Sequence, residues 1–136
     1  METQAQDTLK NPLIEDLTEY LKNASESLHI VDSGGMIVWA NNTELDFLGY
    51  SEEDYIGHSI TEFHRDTDVI NDILTRLLAG ETLVNYSAYL IAKNGSIKRV
   101  LINSNGFWKD GKFIHTRCFS RDITELPMPE GTGYLT

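Results

Sequence analysis

Two turn signals in the last third of the chain constrain its architecture most. Asn94-Gly95 and Asp110-Gly111 each stand between β-rich runs. Both dipeptides favour positive φ at the two central turn positions, the geometry of a tight hairpin. The runs they separate, 83–92, 97–103 and 113–120, carry β-branched and aromatic residues at high density. Three consecutive strands joined by such turns read as an antiparallel meander. A meander has an apolar face to cover, so the rest of the chain must supply the cover.

Upstream, two further β-rich runs, 28–31 and 36–40, flank Asp32-Ser33-Gly34-Gly35 and read as a hairpin. Short helical pieces follow. Asn41-Asn42-Thr43 opens one that Gly49 ends, and Ser51 opens a second that Gly57 ends. One more turn is expected at 59–64. The clearest internal helix is 66–79, where Val69, Ile70, Ile73, Leu74, Leu77 and Leu78 recur at helical spacing before Gly80. Before all of these, Leu13, Ile14, Leu17, Tyr20 and Leu21 form one apolar stripe. The stripe predicts an amphipathic helix of about four turns over 11–25, capped by Asn11 with Pro12 in its first turn. The expected fold class is α+β: a five-stranded antiparallel sheet with helices on one face, plus this N-terminal helix. Residues 1–10 are read as a flexible start, 26–125 as the domain proper and 126–136 as an irregular tail.

Composition narrows the function. At 136 residues and 40% hydrophobic content the chain suits one domain with a real core. A formal net charge of −10 repels phosphate and anionic lipid, so neither nucleic acid nor membrane is an expected partner. Cys118 is the only cysteine, which excludes an internal disulfide. With no apolar run of spanning length and no basic, apolar leader at Met1, the expected location is the cytoplasm.

The ordered pieces resemble PAS domains, the sensory modules common in bacterial histidine kinases. The match runs through Ile30-Val31-Asp32, Gly35-Met36-Ile37-Val38-Trp39-Ala40-Asn41, Leu48-Gly49-Tyr50-Ser51-Glu52-Glu53, Tyr55-Ile56-Gly57-His58, Phe63-His64-Arg65-Asp66, Gly80-Glu81, Lys93-Asn94-Gly95-Ser96 and Arg121-Asp122-Ile123-Thr124-Glu125. It covers about residues 26–125, and the family fold is the one read from the strands and helices. The resemblance implies a sensory module in two-component-type signalling that binds a protein partner, such as a histidine kinase, or a second copy of itself. A small ligand in a cavity is part of that expectation. Arg121 and Asp122 stand where the family couples its last strand to a helical linker, which Pro127 and Pro129 interrupt here. The expected output is therefore contact with another protein, from a stand-alone domain or a piece of a longer receptor. The stripe of Leu13, Ile14, Leu17, Tyr20 and Leu21 is the candidate dimer contact, with packing on its own sheet as the alternative.

Candidate chemistry is sparse. Flavin-type members carry a reactive cysteine in an Asn-Cys-Arg segment on a helix, and none exists here. Cys118 alternates with Thr116 and Ser120 in the last strand and reads as a small strand residue. One haem class places its axial histidine in a Phe-His-Lys context, which Phe63-His64-Arg65 resembles. The resemblance thus implies His64 as a possible haem ligand, giving a haem-based gas sensor as the alternative function. That class also carries a tryptophan in the final strand, where this chain has Cys118-Phe119-Ser120. Capping of the next helix is the preferred reading of the His64-Arg65-Asp66 turn. No histidine pair has metal-ligand spacing. Neither a nucleophile elbow nor a phosphate loop is present. The chain is read as a non-enzyme.

Overall fold

The computed structural model describes residues 11–127. The segment read as a flexible start, and the tail from 128 on, lie outside them. Strand β1 (Ser27–Val31) and strand β2 (Ile37–Ala40) form the first hairpin. Strands β3 (Leu83–Ile91), β4 (Ile97–Lys109) and β5 (Lys112–Asp122) form the meander. They join as one antiparallel sheet in the order β2-β1-β5-β4-β3. The first and last strands are thus neighbours at its centre, with Leu28 opposite Phe119.

The two turns of the meander differ. Asp110 and Gly111 both take positive φ, 53° and 77°, as a two-residue hairpin requires. At the other turn only Gly95 does so, at 87°. There Gly95 N donates to Ala92 O and Ala92 N donates to Ser96 O. This is the longer solution, in which a turn ends on a left-handed glycine. Strand β4 also runs six residues past the expected 103, because its partner β5 continues beside it through Phe107 and Trp108 to the Lys109–Lys112 pair.

Helix α1 occupies Leu17–Lys22, shorter than the 11–25 expected. Asp16, not Asn11, is its cap, and its side chain accepts from Thr18 N at 2.9 Å. Asn11 instead closes a turn, accepting from Leu13 N with its side chain and from Ile14 N with its carbonyl. Helix α2 (Asn42–Leu48) begins on Asn41 and ends on Gly49 at φ 82°. Helix α3 (Glu52–Tyr55) begins on Ser51. A 3₁₀ turn, Ile60–Phe63, carries a reciprocal capping box between Ser59 and Glu62. Helix α4 (Thr67–Leu78) buries Ile70, Ile73 and Leu77, one stripe at helical spacing. Against these pack Val31, Ile37, Leu90, Val100 and Ile102 from the sheet. No helix among the described residues is long and apolar enough to cross a membrane.

Candidate functional site

The sheet face that meets the helices is polar at its centre. Cross-strand register sets His29 of β1 opposite Cys118 of β5, and Cys118 opposite Ser104 of β4. Directly opposed residues share a face, so the three form one row across the sheet. Thr116 and Ser120 flank Cys118 at the alternating positions of β5, and all five side chains belong to buried residues. Thr116 Oγ1 is satisfied by accepting from Val31 N at 2.9 Å.

The helical layer answers with charge. Glu44, in the first turn of α2, is fully buried. Its Oε2 accepts from the Tyr55 hydroxyl at 2.5 Å and lies 3.2 Å from His29 Nδ1. Burial pulls the His29 proton off, but Cys118 and Glu44 beside it outweigh that and hold its pKa well above 6.5. Burial pushes Glu44 up, yet the His29 charge and the hydrogen bond from Tyr55 bring it below its ordinary value. Across the 3.2 Å gap each group favours the charged form of the other.

His64 completes the cluster. It ends the 3₁₀ turn and is held against β3 by a backbone bridge to Leu90 and by the bond from Arg65 N to Tyr89 O. Its ring is buried, and its pKa falls from 6.5 to about 4, through burial first and then the nearby His29 charge. The helix-capping reading of this turn needs correcting. Asp66 is the cap residue of α4 but makes no side-chain cap bond, because its carboxylate pairs with Arg65 at 2.9 Å.

His29, Glu44, Tyr55, His64, Ser104 and Ser120 line one cavity of about 20 Å³ between sheet and helices. Glu44 Oε1, His64 Nδ1, Ser104 Oγ and Ser120 Oγ are buried there without a hydrogen-bond partner. His29 Nδ1 is near Glu44 but not aligned for a hydrogen bond. Such atoms are rare in native interiors, where water or a ligand normally answers them.

Haem does not fit this arrangement. His64 offers a ring nitrogen to the cavity, but about 20 Å³ has room for a water-sized group and not for a macrocycle. Among the described residues no group of three or more His, Cys, Asp or Glu is placed to hold a metal ion.

The other expected sites are elsewhere. Leu13, Ile14, Leu17, Tyr20 and Leu21 all stay exposed, Leu13 at 93%. The stripe is therefore not packed on its own sheet. Polar bonds tie α1 down instead: Lys22 Nζ donates to Ala40 O at 3.1 Å and pairs with Glu52 at 2.9 Å, while Asn41 Nδ2 donates to Leu21 O at 3.0 Å. Arg121 and Asp122 end β5, where Asp122 Oδ1 accepts from Thr124 N and Ile123 N donates to Arg99 O.

Sequence reasoning missed Glu44, Ser104 and Ser120 as site residues and treated His29 only as one of four scattered histidines. A signal for Glu44 was present: it lies four residues before Leu48, on the apolar side of its helix. For the serines it was their place in the inward alternations Val100-Ile102-Ser104 and Thr116-Cys118-Ser120.

Comparison with known proteins follows the same lines. A family model described as PAS domain matches residues 25–125. The chain is similar to the PAS domain of an HTR-like protein from Haloarcula marismortui, at 25% identity and a TM-score of 0.67, over 79% of this chain and 94% of that one. It is also similar to a domain of the sensory box sensor histidine kinase/response regulator from Geobacter sulfurreducens, at 19% identity and a TM-score of 0.67, covering 78% and 90%. The PAS domain of nitrogen regulation protein NR(II) from Vibrio parahaemolyticus superposes at a TM-score of 0.64 and 16% identity, covering 80% and 99%. A search of curated proteins finds no match.

Proposed function

Because this chain belongs to the PAS domain family, we propose that it senses a small ligand in its central cavity and passes the signal on by binding a second copy of itself or a signalling partner. PAS domains are sensory modules typical of signalling proteins such as histidine kinases.

One observation carries the proposal. The cavity and the exposed apolar helix are built on the same element, α2. Glu44, inside the cavity, sits in its first turn, and its N–H donates to Asn41 Oδ1 at 3.0 Å. The same Asn41 side chain holds Leu21 O and Glu26 O, at 3.0 and 2.9 Å. A ligand that moves Glu44 biases the seat of α1, and a ligand with unequal affinity for two packings shifts their populations. Leu13, Ile14, Leu17, Tyr20 and Leu21 form the contact surface, with Arg121 and Asp122 at the exit of β5. The Geobacter relative belongs to a sensor histidine kinase/response regulator. That supports a two-component pathway and a kinase-type partner, and the cytoplasm is the location we propose for it. No catalytic role is proposed.

The test is association. Light scattering of the whole chain should give a dimer, and a Leu17→Asp/Leu21→Asp variant a monomer. Both changes fall on exposed positions, so stability should move by no more than about 0.5 kcal/mol. A whole chain that stays monomeric, or a variant that dimerises equally well, overturns self-association through α1.

A further inference from the structure

Four buried polar atoms without partners face one small space, and their chemistry restricts what can enter it. Glu44 Oε1 is a carboxylate oxygen and can only accept, so an occupant has to donate an N–H or O–H to it. Ser104 Oγ and Ser120 Oγ carry protons to give, so the occupant also has to accept. Charge is already balanced within the wall, with His29 at 3.2 Å from Glu44. An anion would meet the Glu44 carboxylate, and a cation would have to displace the His29 ring that already faces it. Elsewhere in the wall Ile70, Ile73 and Leu77 of α4 and Leu90 of β3 offer only hydrocarbon. The volume, about 20 Å³, admits a water-sized group, so an occupant of three heavy atoms needs these side chains to move apart.

We infer that the cavity selects a small uncharged molecule that both donates and accepts hydrogen bonds, with Glu44 as the residue that demands the donor. The inference rests on the cavity being the sensory site and names the ligand class for it. Glu44 is then the specificity determinant, and the serines of β4 and β5 supply the reciprocal donors.

Three probes of equal heavy-atom count separate the requirements: formamide donates and accepts, acetonitrile only accepts, and formate accepts and carries charge. Each is titrated into the ¹⁵N-labelled chain while amide shifts of Ser104, Cys118 and Ser120 are followed. Formamide should shift them saturably, with acetonitrile and formate weaker by about tenfold or more, since a site with an unmet acceptor rejects analogues lacking the donor. Glu44→Gln supplies its own N–H donor and keeps an oxygen for Tyr55. In that variant the preference for formamide over acetonitrile should fall to about threefold or less. Equal binding of all three probes to the unmodified chain overturns the ligand class and leaves the cavity as a binding site. Absence of a saturable shift with every probe overturns both.

Discussion

His29 and His64 share one cavity but are driven in opposite directions: at His29 the neighbouring Cys118 and Glu44 outweigh burial, whereas at His64 burial and the His29 charge outweigh the pull of Glu44 and Asp66. His29 stands 3.2 Å from Glu44 and keeps its proton above the ordinary 6.5, whereas His64 falls to about 4. Their contributions to stability have opposite signs. Between pH 4 and 6.5 the unfolded chain protonates His64 and the fold does not, so acidification through that window costs stability, about 3 kcal/mol in full. Above 6.5 the fold holds a proton on His29 that the unfolded chain has lost, so stability falls as pH rises toward the folded value. Glu44 adds a loss at more acidic pH, as it is forced to protonate below its ordinary 4.5. Urea unfolding should therefore show greatest stability near pH 6.5, where the two histidine effects meet. His64→Gln should flatten the acid limb alone, whereas His29→Gln should abolish the alkaline limb and also soften the acid limb, since its charge helps lower His64 and Glu44. An unmodified chain whose stability climbs steadily to about pH 8 contradicts this account.

At the scale of elements, the junction between α1, β1 and α2 depends on one side chain. Asn41 is fully buried and makes four bonds, accepting from Leu28 N and Glu44 N and donating to Leu21 O and Glu26 O. It caps one helix, starts one strand and seats another helix. Asn41→Ala loses the cap and leaves buried backbone groups unanswered, so the cost should be about 2 kcal/mol or more. Hydrogen exchange gives the sharper readout: amides of Leu17–Lys22 and of Leu28 should lose protection together, while α4 keeps its own. If α1 stays protected, the Lys22 and Thr43 contacts to Ala40 and Ala24 suffice to seat it. Most elements were legible at this scale. Asn41, Ser51 and Ser59 open their helical segments, Gly49 closes one, and the apolar stripe of α4 is buried as its spacing implies. Helix α1 was over-read, because its stripe has no surface to pack on and only six residues are helical. A short helix with an unburied face gains little from tertiary contact.

At the scale of the whole molecule, a net charge of −10 opposes any self-association. Two copies meeting through the apolar side chains of α1 bring their charges together, and salt screens that repulsion. The dimer constant measured by sedimentation should therefore rise between about 50 mM and about 500 mM salt. A constant that falls with salt would mean that ion pairs, not the leucines and Tyr20, hold the copies together. The sheet order adds a structural consequence. Because β1 and β5 are central neighbours, the segments entering β1 and leaving β5 emerge side by side.

The sequence by itself determined the strands, the caps, the turns and the family, since each follows from local preference: glycine at positive φ, asparagine and serine at helix starts, apolar residues at a fixed period. It also determined that the chain would carry an apolar stripe near its start, whose exposure only the tertiary structure decided. Only the tertiary structure decided the site. His29, Glu44, His64, Ser104 and Ser120 are scattered along the chain, and no local rule links them. The strand register that sets His29, Cys118 and Ser104 in one row, and the helical layer that lowers Glu44 and His64 onto it, make them neighbours. Charge and hydrogen bonding acquire their strength there from burial, and burial is a property of the assembled fold.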